Sequence, residues 1–198
     1  MEIKIAYLKE HPEAIPKLAK IWHEILGSIW ISDVSIEQVE QGFYNELNDS
    51  SLPLTLVALK GDQVIGAVSL HENDEIKPDL TPWLESLVVE KAYQNQGVGK
   101  LLLEKIKQKA SDLHFKKLYL FAFEPNLVTY YKKLGFKLGV KSTEGKGSEF
   151  IVTIPNLIKK YNTNNLITEC SCLSVETKSI DYQKNNSFRY NNSKRSHS

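Results

Sequence analysis

Residues 94–99 read Gln94-Asn-Gln-Gly-Val-Gly99, and they join an apolar stretch, Leu84 to Val89, to a run of helical periodicity that begins near Gly97. A glycine-bearing turn that feeds a helix N-terminus aims several backbone N–H groups at one point, at the positive end of the helix dipole. Such a point binds phosphate. Glycines there let a bulky anion approach without Cβ atoms in the way. The stretch therefore predicts a site for a phosphorylated cofactor between a strand and a helix.

Two phosphate-binding patterns fail on spacing. A Walker A loop needs Gly-x-x-x-x-Gly-Lys-Ser/Thr, but Gly99-Lys100 is followed by Leu101, and Gln94 stands where the first glycine belongs. A dinucleotide fingerprint, Gly-x-Gly-x-x-Gly, opens a βαβ unit. Here Leu102 occupies the third glycine position, and the turn comes after several strands. Tight helix–strand packing is the plainer use of the same glycines.

Periodicity outward from the turn supplies the rest of the domain. Ile3, Ile5 and Tyr7 alternate with polar residues as a first strand, and Pro12 to Gly27 carries apolar residues at helical spacing. Ser35 and Gln38 form a capping-box pattern before a helix with Ile36, Val39, Phe43 and Leu47 on one face. Leu54–Lys60 and Gln63–His71 read as a hairpin about Gly61-Asp62. A polar loop, a strand over 83–89, the glycine turn and a helix striped by Val98, Leu102, Ile106, Ala110 and Leu113 follow. A strand over 118–123, a short helix capped by Asn126 and stopped at Gly135, and two closing strands complete the chain to about residue 158. The order β-α-α-β-β-β-α-β-α-β-β mixes hairpins with helices, so the fold class is a mixed α/β (α+β) sheet with helices on both faces rather than a doubly wound one.

Of the 198 residues, 41% are hydrophobic and 25% charged, enough for one sizeable core. Residues 1–158 form the domain. Residues 159–198, rich in Asn, Ser, Lys and Thr, read as a low-complexity, disordered tail. A net charge of +1 supplies no field for nucleic acid. No run reaches the roughly 18 apolar residues of a membrane helix, and the N-terminus lacks the apolar core of a signal peptide. Cys170 and Cys172 are too few for a disulfide framework or a zinc site. The expectations are a cytoplasmic protein, monomer or homodimer, with no metal, nucleic-acid or membrane partner.

The third pattern, Gln/Arg-x-x-Gly-x-Gly/Ala, is met by Gln94, Gly97 and Gly99. Together with Leu87-Val-Val-Glu before it and Tyr130-Tyr-Lys-Lys-Leu-Gly-Phe136 after it, the chain resembles the GNAT superfamily of acetyl-CoA-dependent N-acetyltransferases over roughly residues 2–155. The resemblance implies a central, mostly antiparallel sheet of about six or seven strands flanked by about four helices, splayed at its centre. It places the pyrophosphate of acetyl-CoA on the amides of Asn95, Gln96, Gly97, Val98, Gly99 and Lys100, with Gln94 at a position often held by arginine. It pairs the pantetheine arm with the backbone of Leu87, Val88 and Val89, and sets Asn126 against the cofactor. Tyr131 becomes the acid that protonates the leaving thiolate. Glu85 becomes the base for the amine, with His71 its rival, and Val88 or Val89 the N–H donor to the oxyanion.

In the same resemblance the acceptor amine meets Trp30, His71 and Trp83, with Phe43, Phe150 and the acidic run His71-Glu-Asn-Asp-Glu75 nearby. The function implied is N-acetylation of a primary amine, of a small molecule or a peptide, by direct attack in a ternary complex. A longer-chain acyltransferase and a non-catalytic acyl-CoA-binding or partner-binding module are the alternatives. Turnover of acetyl-CoA with an amine panel separates them.

Overall fold

The computed structural model describes residues 2–27, 34–73, 79–121, 125–143 and 147–153. Trp30, Asp74, Glu75 and the tail 159–198 with Cys170 and Cys172 lie outside the described residues. The elements are β1 (Ile3–Tyr7), α1 (Ile15–Trp22), α2 (Ile36–Tyr44), β2 (Leu54–Lys60), β3 (Gln63–His71), β4 (Trp83–Val89), α3 (Val98–Asp112), β5 (Tyr119–Phe121), α4 (Pro125–Lys133), β6 (Lys137–Thr143) and β7 (Gly147–Thr153). The element order is the one the periodicity predicts.

Local chemistry fixes several boundaries. The Ser35 hydroxyl accepts from the Gln38 amide at 3.3 Å while the Gln38 side chain accepts from the Ser35 N–H at 2.9 Å, the reciprocal capping box. Gly135 ends α4 from the left-handed region (φ 86°), and the Phe136 N–H reaches back to the Tyr131 carbonyl at 3.1 Å. Two boundaries differ from the sequence reading. Helix α2 stops at Tyr44, short of Leu47, and tight turns after it swing Glu46 inward, its N–H on the Phe43 carbonyl at 3.1 Å. Helix α4 begins at Pro125, a residue suited to the first helical position, so Asn126 lies within its first turn rather than before it.

The strands form one seven-stranded sheet in the order β1-β2-β3-β4-β5-β7-β6. Every neighbouring pair is antiparallel except β4 with β5. That parallel pair is joined at a single register position, Trp83 opposite Tyr119. Among the described residues no further pair joins the two strands, in keeping with the expected splay. On the other edge of β4 a bulge interrupts the pairing with β3: two residues, Ser86 and Leu87, stand against Val68 alone. Ser86 takes φ 52° to make it. Backbones crowd here, since a Cβ on Gly66 of β3 would sit 2.7 Å from the Val88 carbonyl oxygen.

Apolar cores cover both faces. Helix α3 buries Val98, Leu102, Leu103, Ile106 and Ala110 against one face, with Tyr131 and Phe136 closing its far side. Helices α1 and α2 bury Ile15, Leu18, Ala19, Val39 and Phe43 against the other. Lys107 is fully buried in α3, yet its Nζ reaches the Leu134 carbonyl at 2.9 Å and lies 4.9 Å from the Phe136 ring centroid. It ties α3 to the end of α4. Gly66→Ala is expected to lower stability by about 1–3 kcal/mol, because the new methyl group meets backbone that cannot rotate away. Thermal denaturation of the variant beside wild type reads this; an unchanged melting temperature contradicts it.

Candidate active site

The glycine turn is built as a cradle. After a single turn over Lys91–Tyr93, Asn95 (φ 59°) and Gly97 (φ 86°) both take left-handed backbone. Gly97 caps α3 from that conformation, and the first helical bond runs from the Leu101 N–H to the Gly97 carbonyl at 3.0 Å. The N–H groups of Val98, Gly99 and Lys100 precede that bond, so the helix itself gives them no acceptor. A Cβ on Gly97 would meet nothing within 4 Å, so its φ is what calls for glycine. The Gln94 amide donates to the Val89 carbonyl at 2.9 Å, and the Gln96 amide to the Ala92 carbonyl at 2.8 Å. These side chains brace the turn from behind.

Strand β4 leads into this cradle with an open edge. The Glu90 N–H donates to the Ile65 carbonyl of β3 at 2.8 Å. Alternation along a strand then turns Val88 toward β3 and turns Leu87 and Val89 toward the side where β5 has diverged. Val89 is thereby the better placed of the two residues expected to offer an N–H to an oxyanion.

Tyr131 belongs to the core cluster that also holds Val98 and Leu102 of α3. It is 6% exposed, in edge contact with Phe136 and Tyr130 at centroid distances of 5.5 Å each. Burial, and secondarily the neighbouring Tyr130, push its hydroxyl far above the ordinary tyrosine value, so it stays protonated at any working pH. Tyr130, which the sequence treats as mere packing, is the partly exposed member, and its hydroxyl sits 3.3 Å from where a Cβ on Gly99 would be.

On the opposite, α1/α2-facing side, a row of polar groups crosses the sheet. Thr55 of β2 is the register partner of Ser69 in β3, and Ser69 is the partner of Glu85 in β4. The Thr55 and Ser69 hydroxyls lie 2.8 Å apart, and both contact Glu46 Oε2, Ser69 at 2.7 Å. Glu46 Oε1 faces His71 Nε2 at 3.1 Å, and His71 Nδ1 faces Glu85 Oε2 at 3.8 Å. The imidazole thus stands between two carboxylates. Burial pushes the Glu46 carboxyl up, but the hydrogen bond and charge of His71 and the two hydroxyls outweigh it and hold the group below its ordinary value. Beside Glu85, the Ser86 hydroxyl accepts from the Trp22 indole N–H at 3.0 Å, which ties the bulge to the end of α1.

The structure sets the two rival candidates, Glu85 and His71, side by side and adds Glu46, Thr55 and Ser69, which the sequence reading missed. A signal was present: Thr55 and Ser69 are lone polar residues inside otherwise apolar strands. Trp83 is fully buried, its ring tilted 39° against Tyr119 at 5.7 Å between centroids and its N–H on the Leu80 carbonyl at 2.8 Å. A side chain so placed packs the sheet and shows no surface to an acceptor. Phe43 likewise belongs to the core. Asn126 lies in α4 and Phe150 in β7.

A left-handed glycine turn at a helix N-terminus thus lies beside the open edge of β4, with a carboxylate–imidazole pair on the other side of the sheet, and the family match below makes the chain an acyltransferase. The chain belongs to the acetyltransferase (GNAT) family, whose sequence profile matches residues 19–136. It is 33% identical over 69 residues to a probable spermine N(1)-acetyltransferase of Bacillus subtilis subsp. natto, a match covering 33% of this chain and 45% of that one. The chain thus spans less than half the length of the curated relatives it matches. A solved structure of PaiA N-acetyltransferase from Thermoplasma acidophilum in complex with coenzyme A aligns with TM-score 0.57 at 26% identity, covering 78% of this chain and 99% of that chain. A GCN5-related N-acetyltransferase from Kribbella flavida shares the fold at 18% identity, with TM-score 0.60 and coverage of 77% and 97%.

The Glu46 carboxyl titrates lower in the folded chain than its ordinary 4.5, so the unfolded state binds more protons in acid. Its stabilising contribution is present above about pH 4.5 and is lost as pH falls through the folded value. Urea melts across pH are expected to show this loss in wild type and a shallower one in Glu46→Gln.

Proposed function

We propose that the protein transfers an acetyl group from acetyl-CoA to a primary amine. The observation that carries this is the open edge of β4, which leads from the single Trp83–Tyr119 pair to the left-handed turn at Gly97. The pantetheine arm adds to that edge as a strand would, and the pyrophosphate takes the amides of residues 95–100. The fold shared with a coenzyme A complex supports this donor.

An alkylammonium near pKa 10 is not a nucleophile, so a proton must leave first. Glu85 receives it, directly or through water. The free amine attacks the thioester carbonyl, and the oxyanion takes the N–H of Val89. On collapse the C–S bond breaks, the thiolate takes a proton from Tyr131, and the second proton that the attacking nitrogen sheds to become a neutral amide passes through solvent to restore the tyrosine. Acceptor identity follows charge. Glu24 and Glu90 on the same side are paired with Lys91 and Lys17, whereas Glu46 and Glu85 flank one imidazole. Two carboxylates at one place among the described residues suit a cationic aliphatic amine, and the partial match to a probable spermine acetyltransferase makes polyamines the first acceptors to try.

The test is release of free CoA with a panel of polyamines, simple amines and peptides. Glu85→Gln and Tyr131→Phe should each slow turnover by about 10²–10⁴-fold. Wild-type rates in both would remove these roles; a loss in Tyr130→Phe but not Tyr131→Phe would move the acid to the residue beside Gly99. Absence of acyl-CoA binding by calorimetry would end the proposal.

A further inference from the structure

We infer that the Tyr130 hydroxyl donates to the diphosphate of the acyl-CoA, as a side-chain partner to the amides of the glycine turn. The inference rests on the acetyl-transfer reading for the identity of the ligand, and adds to it a binding residue and a reason for Gly99.

The two glycines of the turn are glycines for different reasons. Gly97 has a left-handed φ of 86° and open space where a Cβ would stand. Gly99 lies inside α3 and has no such φ. A Cβ there would meet the Tyr130 hydroxyl at 3.3 Å and Val89 Cγ2 at 3.8 Å. The first distance is tighter than ordinary contact, so the missing side chain at 99 is what lets the hydroxyl come up to the helix. A Cα–Cβ bond in a helix tilts toward the N-terminus. The hydroxyl therefore stands at the N-terminal rim of α3, beside the N–H groups of Val98, Gly99 and Lys100 that have no acceptor within the helix. Val89 is the last residue of β4, so the open strand edge runs into the turn at this same point.

A phenol has one hydrogen to give. Among the described residues no hydrogen bond occupies it, and partial burial holds the group above the ordinary tyrosine value, so the hydrogen stays in place at neutral pH. Donors gathered at one point share an acceptor, and an anionic oxygen strengthens each of those bonds. The ring is also fixed from behind. Tyr130 meets Tyr131 edge-on, Tyr131 meets Phe136 edge-on, and Lys107 Nζ lies 4.9 Å from the Phe136 centroid. The row thus leaves α3 at Gly99 and returns to it at Lys107, about 12 Å along the helix. One rigid element holds both ends, so little ordering remains to be done when the ligand binds. The adjacent tyrosines then have separate work: Tyr130, 37% exposed, binds the donor, and Tyr131, 6% exposed, gives the thiolate its proton.

The test is calorimetric titration of CoA into wild type and Tyr130→Phe, a change that removes one oxygen from a partly exposed side chain and keeps the row of rings. Kd should rise about tenfold or more, within the range of a hydrogen bond to a charged group. An equal Kd overturns the inference. In turnover of acetyl-CoA the loss should lie in KM rather than kcat; a loss in kcat alone overturns the inference and makes Tyr130 the acid. Acetyl-pantetheine lacks the diphosphate, so with it as donor the variant should keep the wild-type kcat/KM. The same loss with both donors would put the hydroxyl on the arm and overturn the inference. Gly99→Ala should weaken CoA binding in wild type and much less in Tyr130→Phe, where the new methyl group meets no hydroxyl. Losses that simply add overturn the reason given for Gly99. Weaker CoA binding by Tyr130→Phe, with no amine acetylated by wild type, would sink the acetyl-transfer reading and leave the Tyr130 contact standing. No CoA binding by wild type ends both.

Discussion

Strands β4 and β5 run parallel and meet at one residue, Trp83 against Tyr119. The rest of the site depends on that constraint. Parallel pairing needs evenly spaced, slanted bonds on both strands. The bulge at Ser86 adds one residue on the β3 side of β4 and increases the local twist there. The twist carries β4 away from β5 once Trp83 has been passed. Trp83 is the pivot: it pairs with His71 on one edge and Tyr119 on the other, and its indole fills the base of the gap. Gly66 permits the backbone approach that the bulge requires. The opened edge then ends at the turn whose left-handed residues aim the start of α3.

The bulge also sets what faces the other side. A residue inserted at 86 keeps Glu85 and Ser86 both toward α1 and α2, where Glu85 meets His71 and Ser86 meets Trp22. One backbone irregularity thereby serves both halves of the site. The interior end of the polar row is held by necessity. A buried carboxylate without partners is strongly destabilising, and one with charged and hydroxyl partners is tolerated. Glu46 meets that condition through three side chains brought together by strand register rather than by neighbourhood in sequence.

That distinction separates what was legible from what was not. The capping box at Ser35, the left-handed stop at Gly135 and the turn at 94–99 are local, because each is satisfied within about six residues, and so their spacing announces them. The element order and the splay followed from those signals and from the family they resemble. Glu46 carries no local signal: its partners lie 9, 23 and 25 positions away, and only the register of β2 with β3 and an early stop to α2 reveal it. Trp83 misled for the opposite reason. An aromatic residue at the mouth of a predicted site reads as a wall, and only burial shows it to be the pivot. The adjacent tyrosines show the same limit, since helical spacing cannot say which of Tyr130 and Tyr131 faces the glycine turn.

The two sides of the site obey different rules of sequence tolerance. The donor side is made of backbone: an open strand edge, helix N–H groups and φ angles that glycine and asparagine reach without strain. Backbone geometry survives wide change in side chains, which is why a chain 18% identical keeps the same fold over three quarters of this one. The polar row is made of side chains, Glu46, His71 and Glu85 above all, whose charges act only at set distances. On the proposed reading the turn speaks for the donor, because its geometry is general. By the same generality it carries no information about the acceptor, and the polar row does.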